Sequence, residues 1–179
     1  MPINFNLNDY LNPVFVETGS AGGNGIEQAL KAGFEKIYSI ELSEQFHQQC
    51  EQHFEREMES GQVTLIFGDS TYALPKVLAA VEGQTTFWLD AHGGYGKTAM
   101  GEKMCPLMEE LDAISEHTIK THTILVDDRR LFSSSDSCRW GSLVSEQVIQ
   151  EKILEINSRY VFETLNGVVK DDVLLARVP

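Results

Sequence analysis

An apolar run that leads directly into a glycine-rich loop is the feature that most constrains the fold of this chain. Residues 14–16 are β-branched or aromatic and predict a buried strand. The loop over residues 17–25 reads ETGSAGGNG, and Ile26, Ala29 and Leu30 follow it at helical spacing. Strand, glycine loop and helix in this order are typical of the start of a doubly wound α/β sheet, where unpaired helix amides lie beside the ligand.

The same alternation of strand and helix continues along the chain. Further apolar runs predict strands at residues 36–42, 63–67, 85–89 and 123–126. Ser43 is a good N-cap and Gly61 a stop signal, so we expect one helix between these two residues. The tail differs, because residues 160–165 and 173–178 are two strand-like runs joined by a short polar loop, and such strands pair antiparallel.

These elements predict a single domain over residues 1–179 with an α/β fold. The expected architecture is a Rossmann-like three-layer αβα sandwich, built on a seven-stranded, mostly parallel sheet with a C-terminal antiparallel hairpin. A length of 179 residues suits one domain with a substantial core. The hairpin distinguishes this pattern from the dinucleotide-binding fold, whose sixth strand stays parallel.

Composition narrows the expected partners and location. The net charge of −13 argues against nucleic acids and anionic membranes, because proteins hold both with lysine and arginine. Three widely spaced cysteines form neither a disulfide framework nor a CxxC zinc site, and no apolar run is long enough to span a bilayer. We therefore expect a cytoplasmic protein with a small-molecule partner, and a homo-oligomer stays open.

Five acidic residues follow the ends of the five predicted parallel strands. They are Glu17, Glu41, Asp69, Asp90 and Asp127. Ligands bind open parallel sheets at the carboxyl ends of the strands, so we expect these acids to line one site. A carboxylate at Glu17, beside a helix N-terminus, repels a pyrophosphate and suits a cationic or amine-bearing ligand.

Over essentially its whole length the chain resembles the class I S-adenosylmethionine-dependent methyltransferases. The resemblance rests on the first glycine loop, on Glu41, on Gly68-Asp69-Ser70 and on the closing hairpin. It implies that Glu41 accepts the ribose hydroxyls of the cofactor and that Asp69, with Ser70, flanks its adenine amino group. It also implies that the methionine half and the neighbouring part of the cofactor contact the first loop and the end of the fourth strand, through Glu17, Gly19, Ser20, Gly22, Gly23 and Asp90.

The spacing of the first loop is similar to that of a metal-dependent subgroup, the macrolide-sugar and cephalosporin-biosynthesis O-methyltransferases. Those enzymes have an acid after strand four, a nearby histidine and an acid pair after strand five. Asp90, His92 and Asp127-Asp128 stand at these places here. The chain departs from that pattern in three ways: the pair is usually Glu-Asp, the histidine usually lies one residue later, and the interval between the acids is longer than usual.

This resemblance implies O-methylation of a small-molecule hydroxyl with Mg²⁺ assistance. Asp90, Asp127 and Asp128 would be the metal ligands, because oxygen ligands suit a hard cation. Asp90 and His92 would be the catalytic residues, with His92 accepting the hydroxyl proton. The reaction would be an in-line displacement on the sulfonium methyl, so the enzyme mainly positions the reactants and stabilises the alkoxide.

Other interpretations remain open from the residues alone. Asp127-Asp128-Arg129-Arg130 also fits an internally paired, solvated run of charges. The cofactor could serve metal-independent transfer to another nucleophile, the chain could be a non-catalytic ligand-binding module, or it could be a nicotinamide-dependent oxidoreductase. Residues 93–105 are glycine-rich and suggest a mobile lid over the site.

Overall fold

The structure is a computed structural model that describes residues 3–92, 101, 103–133 and 144–179. The expected lid segment, residues 93–105, lies largely outside these described residues. Within them the chain forms seven strands: β1 (Val14–Thr18), β2 (Lys36–Glu41), β3 (Val63–Phe67), β4 (Thr85–Leu89), β5 (Thr123–Val126), β6 (Val161–Leu165) and β7 (Val173–Arg177).

These strands form one sheet in the order β3-β2-β1-β4-β5-β7-β6. The first five pair parallel, whereas β7 pairs antiparallel with both β5 and β6. The predicted α/β architecture, with a parallel core and a C-terminal antiparallel hairpin, is therefore confirmed. This order differs from the parallel six-stranded sheet of the dinucleotide-binding fold, which counts against the oxidoreductase interpretation.

Helices cover both faces of the sheet. They are a 3₁₀ turn (Leu7–Tyr10), α1 (Asn24–Ala32), α2 (Glu44–His53), α3 (Glu55–Glu59), α4 (Ser70–Leu78), α5 (Leu107–Glu116), α6 (Arg129–Ser133) and α7 (Glu146–Ile156). Within the described part of the chain, none of them has the length and apolar character that crossing a bilayer requires.

The single helix expected between Ser43 and Gly61 is divided in two. Ser43 caps α2 as predicted, accepting a hydrogen bond from the amide of Phe46. At Phe54 the backbone leaves the helical region, with φ −109° and ψ 25°, and α3 follows. The Phe54 ring is buried against the glycine loop, where a Cβ on Gly23 would lie 2.6 Å from its Cε2 atom. The break therefore places an aromatic ring under the loop.

Two apolar clusters fill the space between the sheet and its helices. Phe15 and Trp88 belong to the cluster on the α1 and α2 face, and Val16 and Phe87 to the cluster on the α4, α5 and α7 face. Successive residues of a strand point to opposite faces, so the uninterrupted apolar runs of β1 and β4 serve both clusters. This arrangement is the expected three-layer sandwich.

Main-chain hydrogen bonds continue past the strand ends and hold the loops of the carboxyl edge together. The amide of Gly19 donates to the carbonyl of Ile40 (2.8 Å), and the amide of Asp90 donates to that of Thr18 (3.1 Å). The amide of Asp127 donates in the same way to Leu89 (3.2 Å). The loops that carry the predicted site residues are thus positioned by backbone contacts.

Candidate functional site

The first loop is built around the buried carboxyl of Glu17. Ser39 Oγ donates a hydrogen bond to Glu17 Oε1 (2.6 Å), and Ser20 Oγ bonds to Ser39 Oγ. The other oxygen, Oε2, lies so close to the start of α1 that a Cβ on Gly25 would collide with it. Burial raises the pKa of Glu17 to about 7, against the lowering effect of the Ser39 hydrogen bond. Glu17 therefore stabilises the loop through its contacts with Ser39 and, by way of Ser39, with Ser20.

Gly19 joins this loop to the end of β4. Its φ of 86° favours glycine, and a Cβ there would lie 2.5 Å from the carbonyl oxygen of Asp90. At Gly22, by contrast, a Cβ would meet no described atom within 4 Å. The loop therefore packs tightly at Gly19 and leaves open space at Gly22, where a ligand can approach the backbone.

Glu41, at the end of β2, lies beside the same loop. Its Oε2 accepts a hydrogen bond from the amide of Ala21 (2.7 Å), and its Oε1 accepts one from the amide of Ser43 (2.7 Å). These bonds fix the carboxylate between the loop and α2. Each oxygen retains a second lone pair, so the group can still accept hydrogen bonds from a ligand.

Asp69 and Ser70 follow β3, as predicted. Asp69 Oδ1 accepts a hydrogen bond from the amide of Thr71 (2.9 Å) and caps α4. The rings of Phe67 and Tyr72 are each 55% exposed on either side of this turn. Exposed rings beside a fixed carboxylate suit the binding of a flat, polar-edged group.

His92 lies between two carboxylates at the ends of β4 and β5. Its Nε2 is 2.5 Å from Asp128 Oδ2, and its Nδ1 is 3.5 Å from Asp90 Oδ1. Burial alone would lower the pKa of His92, but the hydrogen bond to Asp128 and the charge of Asp90 outweigh it and raise this pKa. Both ring nitrogens thus face carboxylates, an arrangement that favours the protonated imidazole, in which both nitrogens donate.

A second acidic group adjoins the first and contains a residue that the sequence analysis missed. Oxygens of Asp127, Asp128 and Asp172 lie within 4.8 Å of one another, and Asp172 is fully buried. Asp127 Oδ1 has no hydrogen-bond partner among the described residues. Burial, followed by the charge of Asp90, raises the pKa of Asp127 to about 7. The backbone of Asp128 provides a hydrogen bond to the Asp127 carboxyl, so Oδ1 is the atom that stays open to a cation.

Arg130 neutralises part of this cluster. Its Nη1 lies 2.6 Å from Asp128 Oδ1 and also contacts Asp172 Oδ2. Arg129 points elsewhere and forms an ion pair with Glu146 at 3.0 Å. The interpretation of the Asp-Asp-Arg-Arg run as internally paired is therefore correct for Asp128 and Arg130. The run is not fully solvated, however, because Asp128 is buried.

Glu110 is a second residue that the sequence analysis missed. It is buried on the apolar face of α5, and its Oε1 atom has no hydrogen-bond partner in the described part of the chain. Burial raises the pKa of Glu110 to about 7, partly offset by the neighbouring hydroxyls of Ser70 and Thr18. A small cavity beside it is lined by Leu89, Leu107, Val126 and Phe132, with His92 as a second polar group.

The structure thus brings the predicted residues together in two adjoining halves. One half contains the first loop, Glu41 and the turn at Asp69. The other half contains the ends of β4 and β5 with Asp90, His92 and the acid pair. Asp90 belongs to both, because its backbone packs against Gly19 and its side chain faces His92.

The comparisons with known proteins are structural only. No protein-family model matches the sequence, and no curated protein sequence matches it either. Among solved structures, an O-methyltransferase from Bacillus cereus in complex with S-adenosylhomocysteine is similar at 13% identity and a TM-score of 0.66, over 97% of this chain and 77% of that one. The tomaymycin-synthesis O-methyltransferase from Streptomyces achromogenes, in complex with S-adenosylmethionine, is 13% identical with a TM-score of 0.62, over 96% and 75%.

This chain has the class I methyltransferase fold. The resemblance stated from the motifs is therefore confirmed at the level of the fold. The methyltransferase fold also covers a protein described as an rRNA methylase from Clostridium thermocellum, 12% identical with a TM-score of 0.57, over 95% of this chain and 91% of that one. Because one of these proteins is named for tomaymycin synthesis and another for rRNA, the fold alone does not select between a small molecule and RNA as the methyl acceptor.

The donors at the ends of β4 and β5 fit a hard divalent cation. Two overlapping groups offer ligand atoms within 4.8 Å of one another: Asp90, His92 and Asp128, and Asp127, Asp128 and Asp172. Carboxylate oxygens are the ligands that Mg²⁺ and Mn²⁺ prefer. Arg130 supplies one positive charge to these acids, so most of the charge that balances them is left to protons or to a cation. One divalent ion supplies that charge, and Asp127 Oδ1 is an acceptor without a hydrogen bond among the described residues.

Proposed function

We propose that this chain is an S-adenosylmethionine-dependent methyltransferase that methylates a hydroxyl group of a small molecule. The observation that carries the proposal is the position of Glu41 at the end of β2, with its carboxylate fixed by the amides of Ala21 and Ser43. A carboxylate held in this way can accept charge-assisted hydrogen bonds from both hydroxyls of one ribose.

The remaining cofactor contacts follow from the same edge of the sheet. The open space at Gly22 allows the methionine half to approach the loop, alongside Gly19, Ser20 and Gly23. Glu17 would act through Ser39 and Ser20 by holding the loop, a structural role rather than the direct ligand contact that the resemblance implies. Asp69, with Ser70, would accept a hydrogen bond from the adenine amino group, next to the exposed residues Phe67 and Tyr72.

A small acceptor is favoured over RNA by charge. The chain has a net charge of −13, whereas RNA binding requires lysine and arginine to neutralise phosphates. The small cavity between β4, β5 and α5 has room for about one water molecule, with His92 and Glu110 among its mainly apolar lining. The buried free thiols of Cys50 and Cys105 agree with the proposed reducing, cytoplasmic location.

Metal assistance is part of the proposal. Asp90, Asp127 and Asp128 would hold Mg²⁺, which would lower the pKa of the acceptor hydroxyl when bound. His92, which lies between Asp90 and Asp128, would accept the hydroxyl proton in its neutral form.

One observation favours metal-independent transfer as a second candidate. Arg130 already provides a positive charge beside Asp128 and Asp172. The two candidates share the cofactor site and differ in whether methyl transfer from S-adenosylmethionine to a panel of small hydroxyl compounds requires a divalent ion.

Calorimetric titration with S-adenosylhomocysteine tests the cofactor site. We expect micromolar binding to the wild type and at least about tenfold weaker binding to Glu41→Ala, because a charge-assisted pair of hydrogen bonds is lost. Glu44→Gln is the matched control, because Glu44 is an exposed carboxylate three residues away on α2. Absence of binding to the wild type would contradict the proposal, as would equal losses in both variants.

A further inference from the structure

The guanidinium of Arg130 has the contacts that a bound cation would have. Its Nη1 atom bridges two carboxylates from different strands, Asp128 after β5 and Asp172 before β7. The backbone amide of Arg130 also donates to Asp172 Oδ1 (3.3 Å), so side chain and main chain hold the same carboxylate. Both acids are buried, and their negative charges would repel strongly without a cation between them.

The bridge nevertheless leaves the cluster incomplete. Asp127 has an oxygen within 4.8 Å of those of Asp128 and Asp172, and it is almost fully buried. Its Oδ1 accepts no hydrogen bond from any residue that the structure describes. A guanidinium fixed on two neighbours cannot also satisfy this third carboxyl, whereas a divalent ion takes oxygen ligands from several directions at once.

We infer that Arg130 is a built-in competitor of the divalent cation and that Asp172 is one of the ligands of that cation. The ion binds to Asp127, Asp128 and Asp172 when the Arg130 side chain leaves the cluster. That side chain is 36% exposed, so it can move into solvent without crossing the core. The inference rests on the metal-assisted form of the proposed function; it replaces Asp90 with Asp172 in the ligand set and adds a gating residue.

This competition has a direct thermodynamic consequence. Binding of the ion is coupled to breaking the contacts of Arg130 with Asp128 and Asp172, so the apparent affinity is lower than the intrinsic affinity of the three carboxylates. Removing the guanidinium should therefore tighten binding. Removing Asp172 as well should cancel that gain, because Asp172 holds Arg130 in one state and the ion in the other.

Calorimetric titration with Mn²⁺ tests this inference on the whole chain. We expect Arg130→Gln to bind Mn²⁺ at least about tenfold more tightly than the wild type. Arg129→Gln is the matched control, because its guanidinium contacts Glu146 and the carbonyl oxygen of Asp171 but none of the three proposed ligand carboxylates in the described structure, so the affinity should stay unchanged. The double variant Arg130→Gln/Asp172→Asn should lose most of the gain.

A second measurement applies even if Arg130→Gln is poorly folded without metal. Loss of the guanidinium leaves buried carboxylates uncompensated, so we expect a lowered melting temperature that millimolar Mn²⁺ restores and K⁺ does not. Equal Mn²⁺ affinity in the wild type and Arg130→Gln, no Mn²⁺ binding by either, or no rescue of the melting temperature would overturn the inference. Binding of S-adenosylhomocysteine, measured in parallel, reports separately on the proposed function.

Discussion

The backbone of Gly25 lies directly against the buried carboxyl of Glu17. Alanine is favoured over glycine inside helices by about 1 kcal/mol, so propensity alone predicts that Gly25→Ala stabilises α1. The collision of the new Cβ with Glu17 Oε2 reverses this sign, because the carboxyl is buried and fixed by Ser39. We expect Gly25→Ala to lower the free energy of unfolding by about 2 kcal/mol, measured by urea denaturation.

Gly22→Ala provides the control for this prediction. A Cβ at Gly22 meets no described atom within 4 Å, so the free energy of unfolding should change little. The same substitution should weaken binding of S-adenosylhomocysteine, because the open space belongs to the proposed cofactor site. Equal stability of Gly25→Ala and the wild type would show that Glu17 does not fill the position described.

Single residues differ in how far the sequence predicts their positions. Glu41, Asp69 and Asp90 were predictable because each follows an apolar run and therefore lies at the carboxyl edge of the sheet. Glu110 left a weaker signal, an acid on the apolar face of a predicted helix. Its position beside a small cavity depends on distant residues, and no local pattern describes a cavity.

At the scale of elements, the starts of β4 and β5 are joined by a pair of histidines. The amide of Thr85 donates to His122 Nδ1 (3.1 Å), and His122 Nε2 is 2.9 Å from His117 Nδ1. His117 Nε2 lies 3.0 Å from the carbonyl oxygen of Val81, to which it donates. This chain of bonds requires His122 to be neutral, since its Nδ1 is an acceptor. The pair therefore connects the strands at the edge opposite the site.

Burial, with the charges of His117 and Lys120, lowers the pKa of His122 to about 4. The unfolded chain takes up this proton near its ordinary pKa of about 6.5, so the contribution of His122 to stability is present above that pH and is lost as the pH falls towards 4. In the wild type we expect the free energy of unfolding to fall by on the order of 2 kcal/mol between pH 7 and pH 5 because of His122. In His122→Asn, which retains a hydrogen-bond acceptor, this pH-dependent decrease should be absent. Denaturant unfolding at both pH values, with exposed His53→Asn as the control, measures it.

The order of the elements explains why Asp172 was missed. Two strands joined by a short loop predicted an antiparallel hairpin, but not which of them pairs with β5. Because β7 is the inner strand and runs antiparallel, its start lies at the carboxyl edge of the parallel strands. A residue assigned to a hairpin loop thereby enters the site. The break at Phe54 was hidden for a related reason, since it depends on a ring packing beneath a distant loop.

At the scale of the whole molecule, three buried carboxyls make the ligand-free protein sensitive to pH. Burial raises the pKa of Glu17, Glu110 and Asp127 to about 7. The unfolded chain releases these protons near pH 4 to 4.5, so stability is lost as the pH rises from there to about 7. The ligand-free protein should therefore be more stable at pH 6 than at pH 8.

Glu110→Gln isolates one of these contributions. The amide cannot ionise, so we expect it to reduce the difference in unfolding free energy between pH 6 and pH 8 by on the order of 1 kcal/mol. Urea unfolding at the two pH values provides the measurement, and the exposed variant Glu44→Gln should leave the difference unchanged. An unaltered slope in Glu110→Gln would mean that Glu110 is already ionised at pH 6.

The loops of the carboxyl edge are attached to neighbouring strands by main-chain hydrogen bonds, from Gly19 to Ile40, from Asp90 to Thr18 and from Asp127 to Leu89. Every amino acid except proline can donate such bonds, so the positions of the site residues are kept when their side chains are exchanged. Proteins that are only 12–13% identical to this chain accordingly share this scaffold. Substitutions can therefore change the chemistry of the site one side chain at a time while the backbone of these loops stays the same.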